Sequence, residues 1–249
     1  MVNKISVIIL TKNSSKYIKE CLNALKRFDE IVVIDNGSSD DTMSLVSLFS
    51  NVKLYESEFI GFGPLKNFAI SKTSNDWILS IDSDEIFTQV LVDEIVNLAF
   101  DDRRIYAILR DNYYHHRLIN CCGWEKDYVN RLFNKNMTKF NNRQVHESLM
   151  LKSPIRVERL KNSFKHYSFD TVEQLLKKMD KYSTLYAQEY KEVKKSSLSK
   201  AVGRSLFSFF KNYFLQKGFL YGYEGLLISV SNANGVFYKY IKLMEENRK

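Results

Sequence analysis

Asp29-Glu30-Ile31-Val32-Val33-Ile34-Asp35-Asn36-Gly37-Ser38-Ser39-Asp40-Asp41-Thr42 reads as a strand, a turn and a helix start in one unbroken run. Residues 31–34 are continuously apolar and β-branched, as a strand buried on both faces reads. Asp35-Asn36-Gly37-Ser38 is turn chemistry. Ser38 or Ser39 is placed to cap the helix, with Asp40 and Asp41 in its first turn, where the helix dipole favours negative charge. Met43, Val46 and Phe49 supply that helix's apolar stripe.

The same grammar extends outward in both directions. Residues 5–10 form a second buried apolar run, followed by Tyr17, Ile18, Cys21, Leu22 and Leu25 at helical spacing. Residues 52–55, 77–81 and 105–109 read as further strands, and residues 65–70 as a short helix. Leu91, Ile95 and Leu98 mark another helix. This βαβα order predicts an α/β fold with a mainly parallel central sheet. In such sheets ligands bind beyond the carboxyl ends of the strands. Thr11, Asp35 and Asp82 close three of these strands and are expected to line one crevice. After residue 110 the pattern loosens into shorter strands at 128–133, 145–150 and 157–164. From Thr171 onward the chain reads helical. The expected organisation is one α/β domain over 1–168 and a helical extension over 169–249, packed on the first part. Residues 201–215 carry Leu206, Phe207, Phe209, Phe210, Tyr213 and Phe214, interrupted by Lys211, and core packing is expected to explain most of these aromatic residues. The competing reading places them in a lipid headgroup zone.

Composition narrows the class. The chain has 249 residues, is 45 % hydrophobic, and holds only two Pro and nine Gly. It can build a substantial core, and disorder is excluded. Three cysteines, two of them adjacent, make no disulfide framework and no zinc spacing. They fit a reducing, cytoplasmic setting. No signal peptide and no spanning segment is expected. Residues 1–100 carry 9 Lys/Arg against 14 Asp/Glu, so the net charge of +8 leaves +13 for the remainder. Such a basic second half points to an anionic partner, with an anionic membrane surface among the candidates.

Asp82-Ser83-Asp84 carries the chemistry. Two carboxylates at a strand end can serve one hard cation and one nucleotide, and no EF-hand loop follows. Mg²⁺ or Mn²⁺ suits such oxygen ligands together with phosphate oxygens. Gly61-Phe62-Gly63 precedes Lys66 and Asn67 at a helix start, where Lys66 could meet a phosphate. There is no G-x-G-x-x-G and no P-loop, which disfavours dinucleotide and P-loop chemistry. A nucleotidyltransferase would need a Gly/Arg/Lys-rich loop after the first strand, and Thr11-Lys12-Asn13-Ser14-Ser15 has no glycine or arginine. A non-catalytic binder of anionic lipid or RNA is the rival of another class. The order of motifs argues against it, and no nucleic acid is expected as a partner.

Residues 6–13, 29–42 and 82–85 together resemble the family 2 glycosyltransferases of the GT-A fold. Residues 61–67 and 123–133, with Val145-His146-Glu147, are similar to the bacterial lipopolysaccharide core glucosyltransferases that act on inner-core heptose. The resemblance implies an inverting, metal-dependent transfer of a hexose from a UDP-hexose, with UDP-glucose expected, onto a lipid-linked core oligosaccharide. It assigns Thr11, Asn13 and Asp35 to the uridine, Lys66 and Asn67 to the nucleotide, and Asp82 to the ribose or metal. Asp84 becomes a metal ligand with His166 as a further one, and Asp127 the general base. Trp124, His146 and Glu147 are candidate contacts to acceptor or phosphate. Such an enzyme would work in the cytoplasm, at the inner face of the bacterial inner membrane. Leu65, Asn36 and Glu125-Lys126 depart from the branch's pattern, and they bear on sugar and acceptor identity more than on the reaction.

Overall fold

A computed structural model describes residues 4–143, 147–151 and 153–249. The chain folds into two compact units. One comprises Met1–Arg110 with Tyr128–His166, and the other Asp111–Asp127 with Tyr167–Lys249. Residues 111–127 thus group with the C-terminal stretch, whereas the sequence pattern had suggested a single cut near residue 168.

The first unit begins with β1 (Ile5–Thr11), α1 (Ile18–Ala24), β2 (Glu30–Asp35), α2 (Thr42–Val46) and β3 (Val52–Glu56). It continues with α3 (Phe62–Ser71), β4 (Trp77–Asp82), β5 (Glu85–Phe87), α4 (Gln89–Val96) and the start of β6 (Arg104–Tyr114). After β7 (Arg117–Leu118), β8 (Asp127–Asn134) and β9 (Arg156–Phe169) complete the strands. The sheet order is β3-β2-β1-β4-β8-β6-β9-β5. β1 pairs in parallel with β2 and β4, and β2 in parallel with β3, whereas β8 joins β4 antiparallel. The α/β architecture with a parallel block and a helical C-terminal region is therefore present. Every residue of β1 and β2 is buried, which is why both runs are apolar without alternation.

Local differences from the sequence pattern have physical reasons. Ser38 and Ser39 do not cap α2. Ser38 is spent on Asp35, the Ser39 N–H on Asn13, and Asp40 instead accepts from the Thr42 N–H and hydroxyl. α2 ends at Val46, so Phe49 lies beyond it. α3 starts three residues earlier than its apolar spacing suggested. Gly61 at φ 104° provides a backbone turn that L side chains rarely adopt. A Cβ on Gly63 would stand 1.9 Å from the Asn141 carbonyl oxygen, so that chain approach requires glycine. β6 and β9 are longer than the runs at 105–109 and 157–164. The expected strand at 145–150 is absent among the described residues, where Leu149 makes only an isolated bridge to Phe140.

In the second unit β6 and β7 form a hairpin whose turn residues, His115 and His116, both have positive φ, as a two-residue loop demands. Helices α5 (Val172–Tyr190), α6 (Leu198–Phe210) and α7 (Gly222–Glu246) follow. Thr171 and Ser197 cap α5 and α6 by accepting from the N–H three residues on. A π-helical turn, Lys211–Leu215, and a 3₁₀ turn, Gly218–Tyr221, lead into α7. α7 packs against both α5 and α6. Gly225 lets α7 meet the preceding turn, because a Cβ there would lie 1.9 Å from the Gly218 carbonyl oxygen. All three cysteines are free and buried. Among the described residues no helix is long and apolar enough to cross a membrane.

Candidate active site

Register places the strand-end residues side by side. Thr11 pairs with Asp35 across β1 and β2, and Leu10 pairs with Asp82 across β1 and β4. The loops that follow are tied to one another. The Asn13 N–H donates to Ser38 Oγ, the Ser14 N–H to Thr42 Oγ1 at 2.7 Å, and the Ser14 and Ser83 hydroxyls lie 2.7 Å apart. Asn13 holds φ 51°, an αL conformation that asparagine tolerates. The Asp35 carboxylate accepts from the N–H groups of Gly37 and Ser38 and from the Ser38 hydroxyl. It therefore builds its own turn, as Asp-Asn-Gly-Ser chemistry allows. Thr11 Oγ1 is buried with no hydrogen-bond partner among the described residues, a polar atom suited to a ligand.

A chain of charge surrounds Asp82. Lys66 is 3 % exposed, and its Nζ lies 3.4 Å from Asp82 Oδ1 and 2.8 Å from Glu147 Oε1. Arg131, buried on β8, donates through Nη2 to Asp82 Oδ2 at 2.9 Å and also to Glu85. Glu85 has no exposed side-chain surface, accepts from the Asp82 N–H at 3.1 Å, and has Arg110 at 4.0 Å. Burial pushes the Asp82 carboxyl up, but the charges of Lys66 and Arg131 outweigh it and hold the group well below the usual carboxylate range. Asp82 is thus anionic at any ordinary pH, although its side chain keeps 38 % of its surface open. For Glu85 burial dominates, Arg131 offsets only part of it, and the carboxyl is pushed up. Burial opposes the charge on Arg131, yet Glu85 and Asp82 hold the guanidinium protonated beyond its ordinary range. Arg131, Glu85 and Arg110 were not singled out from sequence. The available signal was weak, Arg131 standing before the apolar pair Leu132-Phe133 and Glu85 before Ile86-Phe87.

Asp84 sits beside this cluster, with Oδ2 3.5 Å from His166 Nε2. His166 is buried on β9, opposite Glu85 in the strand register. No group of three His, Cys, Asp or Glu side chains converges on one point among the described residues. The fit to a cation is therefore a two-ligand one, with one carboxylate and one imidazole. This suits an ion that takes its other ligands from water and phosphate oxygens.

The remaining candidates have defined surroundings. Asn67 spends its amide on the backbone of Phe140, donating to the carbonyl at 2.9 Å and accepting from the N–H at 3.0 Å. It clamps the loop after β8. His146 lies outside the described residues. Asp127 and Trp124 belong to the second unit. Asn112, 5 % exposed, donates from Nδ2 to Asp127 Oδ2 at 3.0 Å, while its Oδ1 accepts from the Ser168 hydroxyl at 3.1 Å. Ser168 thereby fixes the orientation of the Asn112 amide, and Asn112 fixes one Asp127 oxygen. Trp124 is half-buried against Phe169, their ring centroids 5.9 Å apart.

Residues 6–157 match Glycosyl transferase family 2, and the chain belongs to that family of sugar-transferring enzymes. A glycosyltransferase of Rickettsia prowazekii is 30 % identical over 97 % of this chain and 87 % of its own length. The lipopolysaccharide core biosynthesis glycosyltransferase LpsC of Rhizobium meliloti is 25 % identical over 98 % and 93 %. Among solved structures, S. aureus TarS 1–349 in complex with UDP-GlcNAc aligns with 98 % of this chain and 89 % of its own, at 16 % identity and a TM-score of 0.48.

Proposed function

We propose that the chain is an inverting, metal-dependent hexosyltransferase that carries glucose from UDP-glucose to a lipopolysaccharide or lipooligosaccharide core acceptor. The observation that carries the reading is Asp82, kept anionic between Lys66 and Arg131 at the end of β4, with the Asp84–His166 pair beside it. Asp82 offers acceptors for ribose hydroxyls, and Lys66 offers a buried positive charge for a phosphate. Thr11 and Asp35 stand at the neighbouring strand ends, where a nucleoside binds in such sheets. Asp84 and His166 would hold a divalent cation, which when bound supplies charge neutralisation for the leaving diphosphate.

Asp127 is the proposed general base. It would take the proton from the acceptor hydroxyl as that oxygen attacks the anomeric carbon from the face opposite the leaving group. A single displacement inverts the anomeric centre. Asn112 donates to one Asp127 oxygen and so helps to orient the carboxylate. The relationship to LpsC supports a core oligosaccharide as acceptor. A lipid-linked acceptor of this kind is met at the cytoplasmic face of the inner membrane.

Isothermal titration with UDP and UDP-glucose, with and without Mn²⁺, tests the donor half on wild type and Asp84→Ala. The expected result is metal-dependent binding that the variant loses. Binding of equal strength with chelator present would remove the metal from the reading, and absence of UDP binding in every condition would remove the uridine donor.

A further inference from the structure

α6 is amphipathic in the inverted sense. Its inward residues are small or polar. Ala201 is fully buried, Ser205 donates to the Ala233 carbonyl, and Asn212, in the π-helical turn beyond it, accepts from Asn232. Its outward residues are large and apolar. Leu206, Phe207, Phe210 and Phe214 are 67, 63, 50 and 50 % exposed and recur at i, i+3/i+4 spacing. Phe219, Leu220 and Tyr223 extend the greasy surface through the 3₁₀ turn into α7 at 50, 61 and 64 %. An apolar patch this extensive on a water-facing surface marks a binding surface.

Charge selects the occupant. Between residues 193 and 223 there are six Lys or Arg and no Asp or Glu. Lys200 and Arg204 lie on α6, their cations over the Tyr240 ring of α7 at 5.3 and 5.8 Å, and Lys211 opens the π-helical turn that continues the helix. Glu224 is the next acid, and it is buried and neutralised by Arg117 at 2.8 Å. Aromatic and leucine side chains flanked by cations on a helix too short and too charged to span is the pattern of an element lying in the headgroup plane. A second copy of this surface would bring like charges together.

We infer that the α6 face, with the turn after it, docks this protein onto the surface of an anionic phospholipid bilayer. Phe207, Phe210 and Phe214 enter the acyl boundary while Arg204, Lys211 and Lys217 meet lipid phosphates. The inference is independent of which sugar is transferred, and its test needs no activity.

Flotation with vesicles of phosphatidylcholine plus phosphatidylglycerol, against phosphatidylcholine alone, gives the readout on the full chain. Wild type is expected to float with the anionic vesicles and to be released by salt. Phe207→Ser/Phe210→Ser removes two exposed side chains, so it should leave the thermal midpoint unchanged and weaken vesicle binding roughly tenfold to thirtyfold. Arg204→Gln/Lys211→Gln/Lys217→Gln should abolish the preference for anionic vesicles. Wild type that stays with neither vesicle, or a Phe207→Ser/Phe210→Ser variant that floats as well as wild type, overturns the assignment. So does a concentration-dependent dimer that these substitutions dissociate, since the face would then belong to a second copy.

Discussion

Arg131→Met is the most informative perturbation of the cluster. Methionine keeps most of the apolar stem of arginine but removes the charge and the donors shared by Asp82 and Glu85. Removing one partner of a buried ion pair costs about 3–5 kcal/mol, because the other charge stays behind unpaired. The lower end applies here, about 3 kcal/mol. Asp82 keeps Lys66, and Glu85 keeps the Asp82 N–H and the more distant Arg110. That is still a large share of a typical stability of about 5–15 kcal/mol. The sign of the pH dependence follows from the two carboxyls. Glu85 is already pushed up by burial, and losing Arg131 pushes it further. A carboxyl raised in the folded state favours folding at low pH and loses that advantage as pH rises through its folded value. Asp82 is depressed, so wild type loses its contribution as pH falls. Both effects make the deficit of Arg131→Met greatest near neutrality and smaller toward the ordinary carboxylate range near about pH 4. Urea unfolding followed by Trp77 fluorescence, in a Trp124→Phe background, reads the unit that contains the cluster. Arg131→Met/Glu85→Gln should recover about half of the loss. A deficit below about 1 kcal/mol at neutral pH, or one that does not change on acidification, would refute the charge assignment.

Three further outcomes are expected. Asp127→Asn should lower transfer by at least about 10²-fold while UDP affinity stays within about twofold, read by single-turnover kinetics and titration. In the wild type, burial works against the Glu30 charge, but Lys53, Ser6 and Ser74 outweigh it and lower the pKa from 4.5 to about 2. Its contribution, on the order of 3 kcal/mol, is present above 4.5 and lost as pH falls toward 2, and Glu30→Gln should flatten that part of the acid-unfolding profile. Gly225→Ala should lower the unfolding free energy by roughly 3 kcal/mol or more, since its Cβ meets backbone and not a movable side chain; a midpoint within a degree or so of wild type would show that α7 shifts freely.

The parallel block was legible because a strand buried on both faces leaves a run of apolar, β-branched residues that little else produces. The runs at 5–10, 31–34 and 77–81 became β1, β2 and β4 with their strand-end residues in neighbouring register. What pattern alone could not give was pairing at a distance. Arg131 lies about fifty residues from Asp82 and Glu85, and nothing in its own neighbourhood announces two buried carboxylates. The family resemblance implies a nucleotide contact for Asn67. Its amide is taken by the Phe140 backbone, a partner that sequence spacing does not reveal. Asn112 and Ser168, which orient Asp127, are likewise ordinary polar residues until the strands bring them together.

The helical extension shows the opposite case, in which periodicity locates an apolar stripe but not the side it faces. Phe207, Phe210 and Phe214 do share one helix face, as their spacing required. An apolar stripe ordinarily faces the core, and on that rule most of the aromatic residues of 201–215 are expected to pack inward. The rule presumes that the other face is polar and solvated. Here the other face is Ala201, Ser205, Ser208 and Asn212, residues small enough for α7 to approach, and Ser205 and Asn212 hydrogen-bond across the contact to Ala233 and Asn232. Close packing of helices favours such small side chains, so the small face turned inward and the aromatic face was left outside. The sequence did hold the deciding clue, which was the size of the residues opposite the stripe together with the absence of acids from 193 to 223. An apolar stripe predicts burial, but what buries it depends on what the other face of the helix can pack against.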